Sequence, residues 1–459
     1  MASFYVENFG CRATQADGAA IERQFEDRGL TRASAPAQSE IVVLNTCTVT
    51  AAADQDARAA IRRIRRENPD CQIVVTGCYA QRAPAEVASL PGVNRVVGNS
   101  HKSQLADVIF SRQADAVPRN ASNSDFVPLS SLTSQSEIFV SDIFAHTELL
   151  GAPVFDGPGS NNDRTRPNLK VQDGCDNRCS FCVIPYVRGQ SRSLPLPQIV
   201  EQINALVNSG FREVVISGIN LGRWGRDFDA PLRFEDMIEQ ILNQTDLQKL
   251  RISSVEPMDW SDELIRMAAT SSRIAKHAHV PLQSGSDRVL RGMHRKYRPW
   301  HYREKIEKIR AAMPTAAIGA DVMVGFPGET EADFEETWRL IEDLPFTYLH
   351  VFTYSSRPGT PGASMGDQVP VQIARERNRI LRELAAQKKL AFMRTFAGQT
   401  MDAITLNTFD GTSTEALTDN YLKLRLEGRH EANQWLKAQV QRVEAGALIA
   451  VKEATQFSL

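Results

Sequence analysis

Short apolar runs of strand length recur from the beginning of the chain, at residues 4–8, 41–45 and 72–76. Between them lie stretches whose apolar positions repeat at helical spacing, such as 18–28 and 51–66. Strand and helix in alternation predict a parallel sheet covered by helices, of the flavodoxin-like kind, over residues 1–112. The pattern lapses over 113–160, where Ser, Asn, Pro and Gly dominate and apolar residues come only in short pieces such as 138–140 and 143–144. This part reads as a linker with one ordered segment. Alternation resumes over 161–393, with six candidate strands at 169–171, 213–217, 250–255, 277–282, 318–324 and 349–354. Residues 371–396 follow as one amphipathic helix, with Ile373, Ile380, Leu381 and Leu384 on its apolar side and Gly398 as its stop. From Met401 onward the period drops to two, with turns at Asp410-Gly411 and Ala445-Gly446. A small antiparallel β-barrel is the expected fold of residues 394–459.

Composition changes this picture little. A chain of 459 residues is too long for one core, and 42% apolar with 24% charged residues is the balance of a soluble multidomain α/β protein. No run of about 18 apolar residues suggests a membrane span, and no basic-then-apolar leader opens the sequence, so a cytoplasmic protein is expected. Net charge is −2, which provides no global case for a nucleic-acid partner, so any such case rests on local patches. Arg58, Arg62, Arg63, Arg65 and Arg66 share one predicted helix and read as a solvated face. Arg291, Arg295, Lys296 and Arg298 follow the fourth strand of the second domain, near the expected mouth, and read as phosphate contacts.

The cysteines carry the chemistry. Seven in a long chain argue for ligand use in a reducing compartment and against a disulfide framework. Cys175, Cys179 and Cys182 form a C-x3-C-x2-C run in the loop after the first strand of the second domain. Zinc thiolates usually arrive as two spaced pairs, so a compact triple with no fourth ligand nearby suits a 4Fe-4S cluster with one iron left open. Zinc with a remote fourth ligand, or three free thiols, are the alternatives. Cys11, Cys47 and Cys78 each stand one to three residues beyond the carboxyl end of a predicted strand, at the edge of a parallel sheet where ligands bind, so three thiols far apart in sequence should converge. Cys71 precedes its strand and is assigned to the opposite edge as an ordinary thiol.

The C-x3-C-x2-C run, with Phe181 before its last cysteine, resembles the signature of the radical S-adenosylmethionine (SAM) superfamily. Gly10-Cys11, Asn45-Thr46-Cys47-Thr48-Val49 and Gly77-Cys78-Tyr79-Ala80-Gln81 resemble the three motifs of the methylthiotransferases within it. Thr14 stands where that family usually has Asn. The resemblance implies an open six-stranded barrel and two 4Fe-4S clusters, held by Cys175, Cys179 and Cys182 and by Cys11, Cys47 and Cys78. It also implies reductive cleavage of SAM, an unidentified reductant such as flavodoxin or ferredoxin, and addition of a methylthio group to substrate. SAM contacts carried over from the family are Phe181, Ser217, Gly218, Glu256 and Ser284. Thr418-Asp419-Asn420-Tyr421 resembles part of a TRAM domain, an RNA-binding barrel, in which Tyr421 and Trp435 would stack on bases. The strand-end motifs, among them Ser217-Gly218-Ile219-Asn220 and Val255-Glu256-Pro257, look most like the branch that modifies carbon 2 of N6-threonylcarbamoyladenosine at position 37, in the anticodon stem-loop of tRNA. The branches acting on isopentenyladenosine and on a ribosomal-protein aspartate are the rivals. A non-catalytic RNA-binding protein with structural zinc is the alternative from another class.

Overall fold

The computed structural model describes residues 2–110, 136–146, 149 and 165–453. In the first domain the strands are β1 (Ser3–Asn8), β2 (Thr31–Arg32), β3 (Ile41–Thr46), β4 (Gln72–Gly77), β5 (Arg95–Val97) and β6 (Glu137–Phe139). They form one sheet in the order β2-β1-β3-β4-β5-β6, every neighbouring pair parallel. The period-two pattern makes both faces apolar. Val42, Leu44, Ile73 and Val75 pack on Ala57, Ile61 and Ile64 of α2 (Ala51–Glu67), while Phe4, Val6, Val43 and Val74 pack with Ile21 and Phe25 of α1 (Arg12–Glu26). This is the flavodoxin-like order extended by one strand.

The extension corrects the boundary drawn at residue 112. The short apolar piece inside the presumed linker is β6, an edge strand hydrogen-bonded to β5, and the rest of that linker lies outside the described residues apart from 136, 140–146 and 149. Three residues of modest hydrophobicity, remote in sequence from their partner, carry too little pattern to be assigned to a sheet.

The second domain has β7 (Asn168–Asp173), β8 (Arg192–Ser193), β9 (Glu213–Gly218), β10 (Lys249–Ile252), β11 (His277–His279), β12 (Ala317–Val324) and β13 (Tyr348–Thr353). β10-β9-β7 and β11-β12-β13 are parallel, and bridges from Leu250 to Ile274 and from Ser254 to His279 join them into a curved sheet. The short β8 is antiparallel on the outer edge of β7. Leu169, Val171, Val214, Ile216, Ile318, Ala320 and Val322 point outward into one core shared with the surrounding helices. Alternate positions such as Ser217 and Asp321 face the lumen, so the interior of this half-barrel offers polar groups to a ligand and the exterior provides stability.

The long helix Val371–Arg394 closes the second domain, but its buried face is Ala374, Arg377, Leu381 and Ala385. Ile373, expected on the apolar side, is exposed. Arg377 is buried because it reaches Glu329 at 3.1 Å and Glu331 at 2.9 Å, a pairing that rotates the helix away from the purely apolar register. The strands β14 (Thr400–Phe409), β15 (Ser413–Thr418), β16 (Lys423–Glu427), β17 (Trp435–Glu444) and β18 (Ala447–Lys452) close into a barrel. Its β15–β16 loop docks on the bottom of the half-barrel: Asn420 Nδ2 donates to the Thr315 carbonyl (2.8 Å), and Arg251 Nη1 donates to the Asp419 carbonyl (3.1 Å).

Two buried ion networks fix the first domain on the second. Asp17 of α1 meets Lys102 Nζ (3.0 Å), Arg188 Nη2 (3.0 Å) and Lys170, while Asp173 takes Lys170 Nζ (2.9 Å) and Arg188 Nη1 (2.9 Å). Across the interface, Asp54 of α2 pairs with Arg82 (2.9 Å) and with Arg357 of the loop after β13. Burial opposes ionisation of Asp17, yet Lys102, Lys170 and Arg188 together hold its carboxyl well below the usual carboxylate range. Asp17→Ala leaves three buried cations facing one carboxylate. It is expected to cost roughly 3–5 kcal/mol, read as a lower denaturation midpoint. A loss under about 1 kcal/mol would mean that the interface opens to water.

Candidate active site

Strand ends build the site. In the first domain Cys11, Cys47 and Cys78 follow β1, β3 and β4, and Cys71 lies before β4 inside the apolar core, its Sγ 3.2 Å from the Asn68 carbonyl. Burial, then the neighbouring Cys78 and Cys11, push the Cys47 thiol up to about 12, so the three sulfurs lie within electrostatic reach of one another. In the second domain the loop after β7 carries Cys175, Cys179 and Cys182. Gly174 permits this loop, with φ +71° and a side chain's first carbon excluded by the Gln190 carbonyl at 1.8 Å. Burial, then Cys179 and Cys175, push the Cys182 thiol up to about 12. Crowded, dry thiols cannot all ionise alone. They can do so around a metal centre, which supplies the opposing charge.

The donor set suits an iron–sulfur cluster. Each triad is made of thiols alone, the soft donors that iron–sulfur clusters take. Each triad also has donors to its sulfurs: Asn220 Nδ2 to Cys175 at 3.6 Å, Arg295 Nη1 to Cys179 at 3.3 Å, and Asn99 Nδ2 to Cys78 at 3.6 Å.

The triads approach each other. The helix Ile184–Arg188, which starts two residues after Cys182, packs through Val187 and Ile184 on Cys78. Cys11 lines the same cavity of about 620 Å3 as Cys175, Cys179 and Cys182. Phe181, Ser217, Gly218 and Glu256 are in its wall, and Ser217 Oγ and Asn220 Oδ1 are buried there without hydrogen-bond partners, as polar atoms reserved for a ligand are.

Several expected contacts fall elsewhere. Ser284 is fully buried and faces away from the cavity, its Oγ bonded to Thr337 (3.2 Å) and to the Ser286 amide (3.2 Å). The wall residue there is its neighbour Gln283. Arg295 is no surface phosphate contact. It is buried, paired with Glu256 and bonded to Cys179, because the chain turns inward after the helix Asp287–Gly292. Arg298 is spent on Asp287 (3.1 Å) and on the Arg295 and Tyr297 carbonyls. Arg291 is exposed and paired with Asp287 at 2.9 Å, and Lys296 is exposed. Tyr421 also leaves the expected RNA face: its ring enters the floor of the cavity, 4.7 Å from His277 and 6.0 Å from Tyr348. Trp435 lies under Lys249, 5.0 Å from its ring centre.

The lumen below the triads was not singled out from sequence. His277, His279, Asp321, Tyr348 and His350 line it. His279 Nδ1 meets Ser254 Oγ (2.7 Å) and its Nε2 stands 3.4 Å from Asp321, while His277 Nε2 meets the Tyr348 hydroxyl (2.6 Å). Gly319, paired with His279 on one side and Tyr348 on the other, lets the Tyr348 ring lie across β12, where any side chain would overlap it. The signal was present as polar residues two apart in short strands, His277 with His279 and Tyr348 with His350, which alternation places on one face.

Comparisons with known proteins agree with this geometry. Residues 3–98 match the uncharacterized protein family UPF0004, and residues 169–341 match the radical SAM superfamily. The chain is 35% identical to the threonylcarbamoyladenosine tRNA methylthiotransferase MtaB of Bacillus subtilis, over 94% of this chain and 92% of that one. It is 34% identical to its namesake in Aquifex aeolicus, over 94% and 98%. A tRNA-2-methylthio-N(6)-dimethylallyladenosine synthase from Desulforamulus reducens is 32% identical over 83% of this chain and 79% of its own. Among solved structures, the radical SAM methyltransferase TsrM of Kitasatospora setae shares the fold, with a TM-score of 0.54 at 15% identity, over 79% of this chain and 77% of that one.

Proposed function

The chain belongs to the methylthiotransferase family of radical SAM enzymes, and on that premise we propose that its reaction takes place in the cavity where the two cysteine triads meet. It is a threonylcarbamoyladenosine tRNA methylthiotransferase, using a 4Fe-4S cluster and SAM. Cys175, Cys179 and Cys182 hold that cluster, and Phe181, Ser217, Gly218 and Glu256 line the SAM subsite beside it. Cys11, Cys47 and Cys78 hold a second cluster, the site of sulfur supply. The target is carbon 2 of the modified adenosine at position 37, presented by the anticodon stem-loop, with a flavodoxin or ferredoxin as reductant.

A cluster held by Cys175, Cys179 and Cys182 would supply one-electron chemistry toward SAM, the kind that an unactivated aromatic C–H demands and no side-chain base can supply. The protein's own residues position and insulate. Asn220 and Arg295 donate to sulfurs of the first triad, and Asn99 to one of the second, interactions that orient ligands and set cluster potential. The buried cations Lys102 and Arg188 lie close enough to Cys78 to offset negative charge gathered on the second triad. The observation that carries this reading is that Cys11 shares one cavity with the other triad. Among the described residues no helix is long and apolar enough to cross a membrane.

The test is anaerobic turnover of the full chain, loaded with iron, sulfide and SAM, on an anticodon stem-loop carrying N6-threonylcarbamoyladenosine. Nucleoside mass spectrometry should show the 2-methylthio product there and none on the isopentenyl stem-loop. The opposite preference would replace this substrate with its rival.

A further inference from the structure

We propose that Arg12, held in the lumen by the amino-terminal turn of α1, is the receptor for the carboxylate of the threonylcarbamoyl group, with His277 and Tyr421 beside it. This rests on threonylcarbamoyladenosine being the substrate. Its N6 substituent is a threonine joined through a urea, which carries a carboxylate and a hydroxyl that an isopentenyl group lacks.

The charges of the cavity single out Arg12. Its wall contains three arginines, Arg12, Arg251 and Arg295, and two carboxylates, Glu256 and Asp321. Arg251 is paired with Glu213 at 2.6 Å, and Arg295 with Glu256. Arg12 has no ion-pair partner among the described residues, and its one side-chain bond is from Nη2 to the Tyr421 hydroxyl at 3.4 Å. Arg12 is half-buried, so its guanidinium is open to an incoming anion, and its planar fork matches a carboxylate.

Neighbouring groups complete a receptor. The Tyr421 oxygen accepts from Arg12, which leaves its own proton to donate. His277 is buried, with Nδ1 unpartnered. When its Nε2 accepts from the Tyr348 hydroxyl, Nδ1 carries the proton, and among the described residues it meets only the Ile252 carbonyl, without forming a well-aligned hydrogen bond. Burial, then Arg251, keep this imidazole neutral, so it donates without adding a buried charge. Asp321, with His279, occupies another part of the lumen. A carboxylate is repelled there and attracted to Arg12, which fixes the direction in which the substituent lies.

The position also suits the reaction. Arg12 is the residue after Cys11, and Asn168 Nδ2 of β7 grips the Arg12 carbonyl at 3.0 Å. A substituent held at Arg12 therefore registers the base against both the second triad and the half-barrel. Tyr421 has φ +67°, a left-handed conformation that a tyrosine rarely adopts, and this aims its ring into the lumen. The third domain thus contributes to the floor of the pocket.

The experiment is equilibrium binding of the full-length, cluster-loaded protein without reductant or SAM, so that no turnover enters. Three stem-loops are compared: one with threonylcarbamoyladenosine, one with its carboxylate replaced by carboxamide, and one with isopentenyladenosine. Wild type should prefer the acid to the amide by roughly ten- to a hundredfold, the worth of one charge-assisted hydrogen bond. Arg12→Gln should erase that ratio, and Arg12→Lys should keep part of it, because the charge stays and the fork is lost. Iron content checks that each variant is folded, and the lysine variant stands in if the glutamine variant is not. An unchanged acid-to-amide ratio in the variants overturns the role of Arg12 and leaves the substrate assignment standing. Wild-type binding that favours isopentenyladenosine removes the assignment and the inference together.

Discussion

Cys179→Ala is expected to reduce 5'-deoxyadenosine formation to background in anaerobic assays with SAM and dithionite. The three thiols of the C-x3-C-x2-C loop have no substitute close by, because the nearest other cavity-lining sulfur, Cys11, belongs to the opposite triad. Cys179 is also the thiol that Arg295 addresses, at 3.3 Å. Removing it takes away a ligand and the partner of a buried guanidinium. The fold should survive, since Arg295 keeps its pairing with Glu256 and its contact with the Tyr297 hydroxyl at 3.2 Å. The variant should therefore lose the iron of one cluster while its thermal midpoint moves little. Outer contacts of a metal site are each worth ten- to a hundredfold in affinity or activity, so loss of a ligand should leave less than about one per cent of the cleavage rate. Cleavage persisting near the wild-type rate would falsify the assignment of Cys179 to the cluster.

What sequence could and could not convey follows from range. Strand runs and their C-terminal cysteines were legible because alternation and turn chemistry are local: β3, β4 and β9 begin at the residues the pattern indicated. Cys11, Cys47 and Cys78 were legible because each follows a strand end, where a parallel sheet gathers its ligands, and Cys175, Cys179 and Cys182 because they crowd into one short loop after β7. Long-range pairing was not legible. Nothing local says that residues 137–139 pair with β5, or that Arg295 turns inward to Glu256 when Arg291, Lys296 and Arg298 in the same stretch suggest a surface patch. Tyr421 reads in sequence as an exposed stacking residue and lies instead at the floor of the cavity, since an exposed ring and a plug on another domain look identical in one dimension. Ser284 and Gln283 differ by one position, and only the register of the loop decides which faces the cavity.

Cys47→Ala separates the two halves of the proposed chemistry. The variant should still cleave SAM, because Cys175, Cys179 and Cys182 are untouched, yet yield less than about one per cent of the methylthiolated nucleoside, the same bound that loss of a ligand sets above. Cys47 is buried beside Cys78 and Cys11, and burial with these neighbouring sulfurs pushes its thiol up, so its ionisation depends on an opposing positive charge such as a metal centre supplies. Its loss removes only one sulfur from a well-packed turn: β3 keeps its five parallel partners on β1 and six on β4, and Asp54 keeps Arg82 and Arg357. Iron and sulfide should fall by one cluster, and the remaining spectrum should match that of the cluster that Cys179→Ala removes. Retained SAM cleavage with lost product assigns sulfur supply to the first domain. Normal methylthiolation from Cys47→Ala would take the second triad out of the reaction, and loss of both activities would mean that it holds the cavity together and does not feed it.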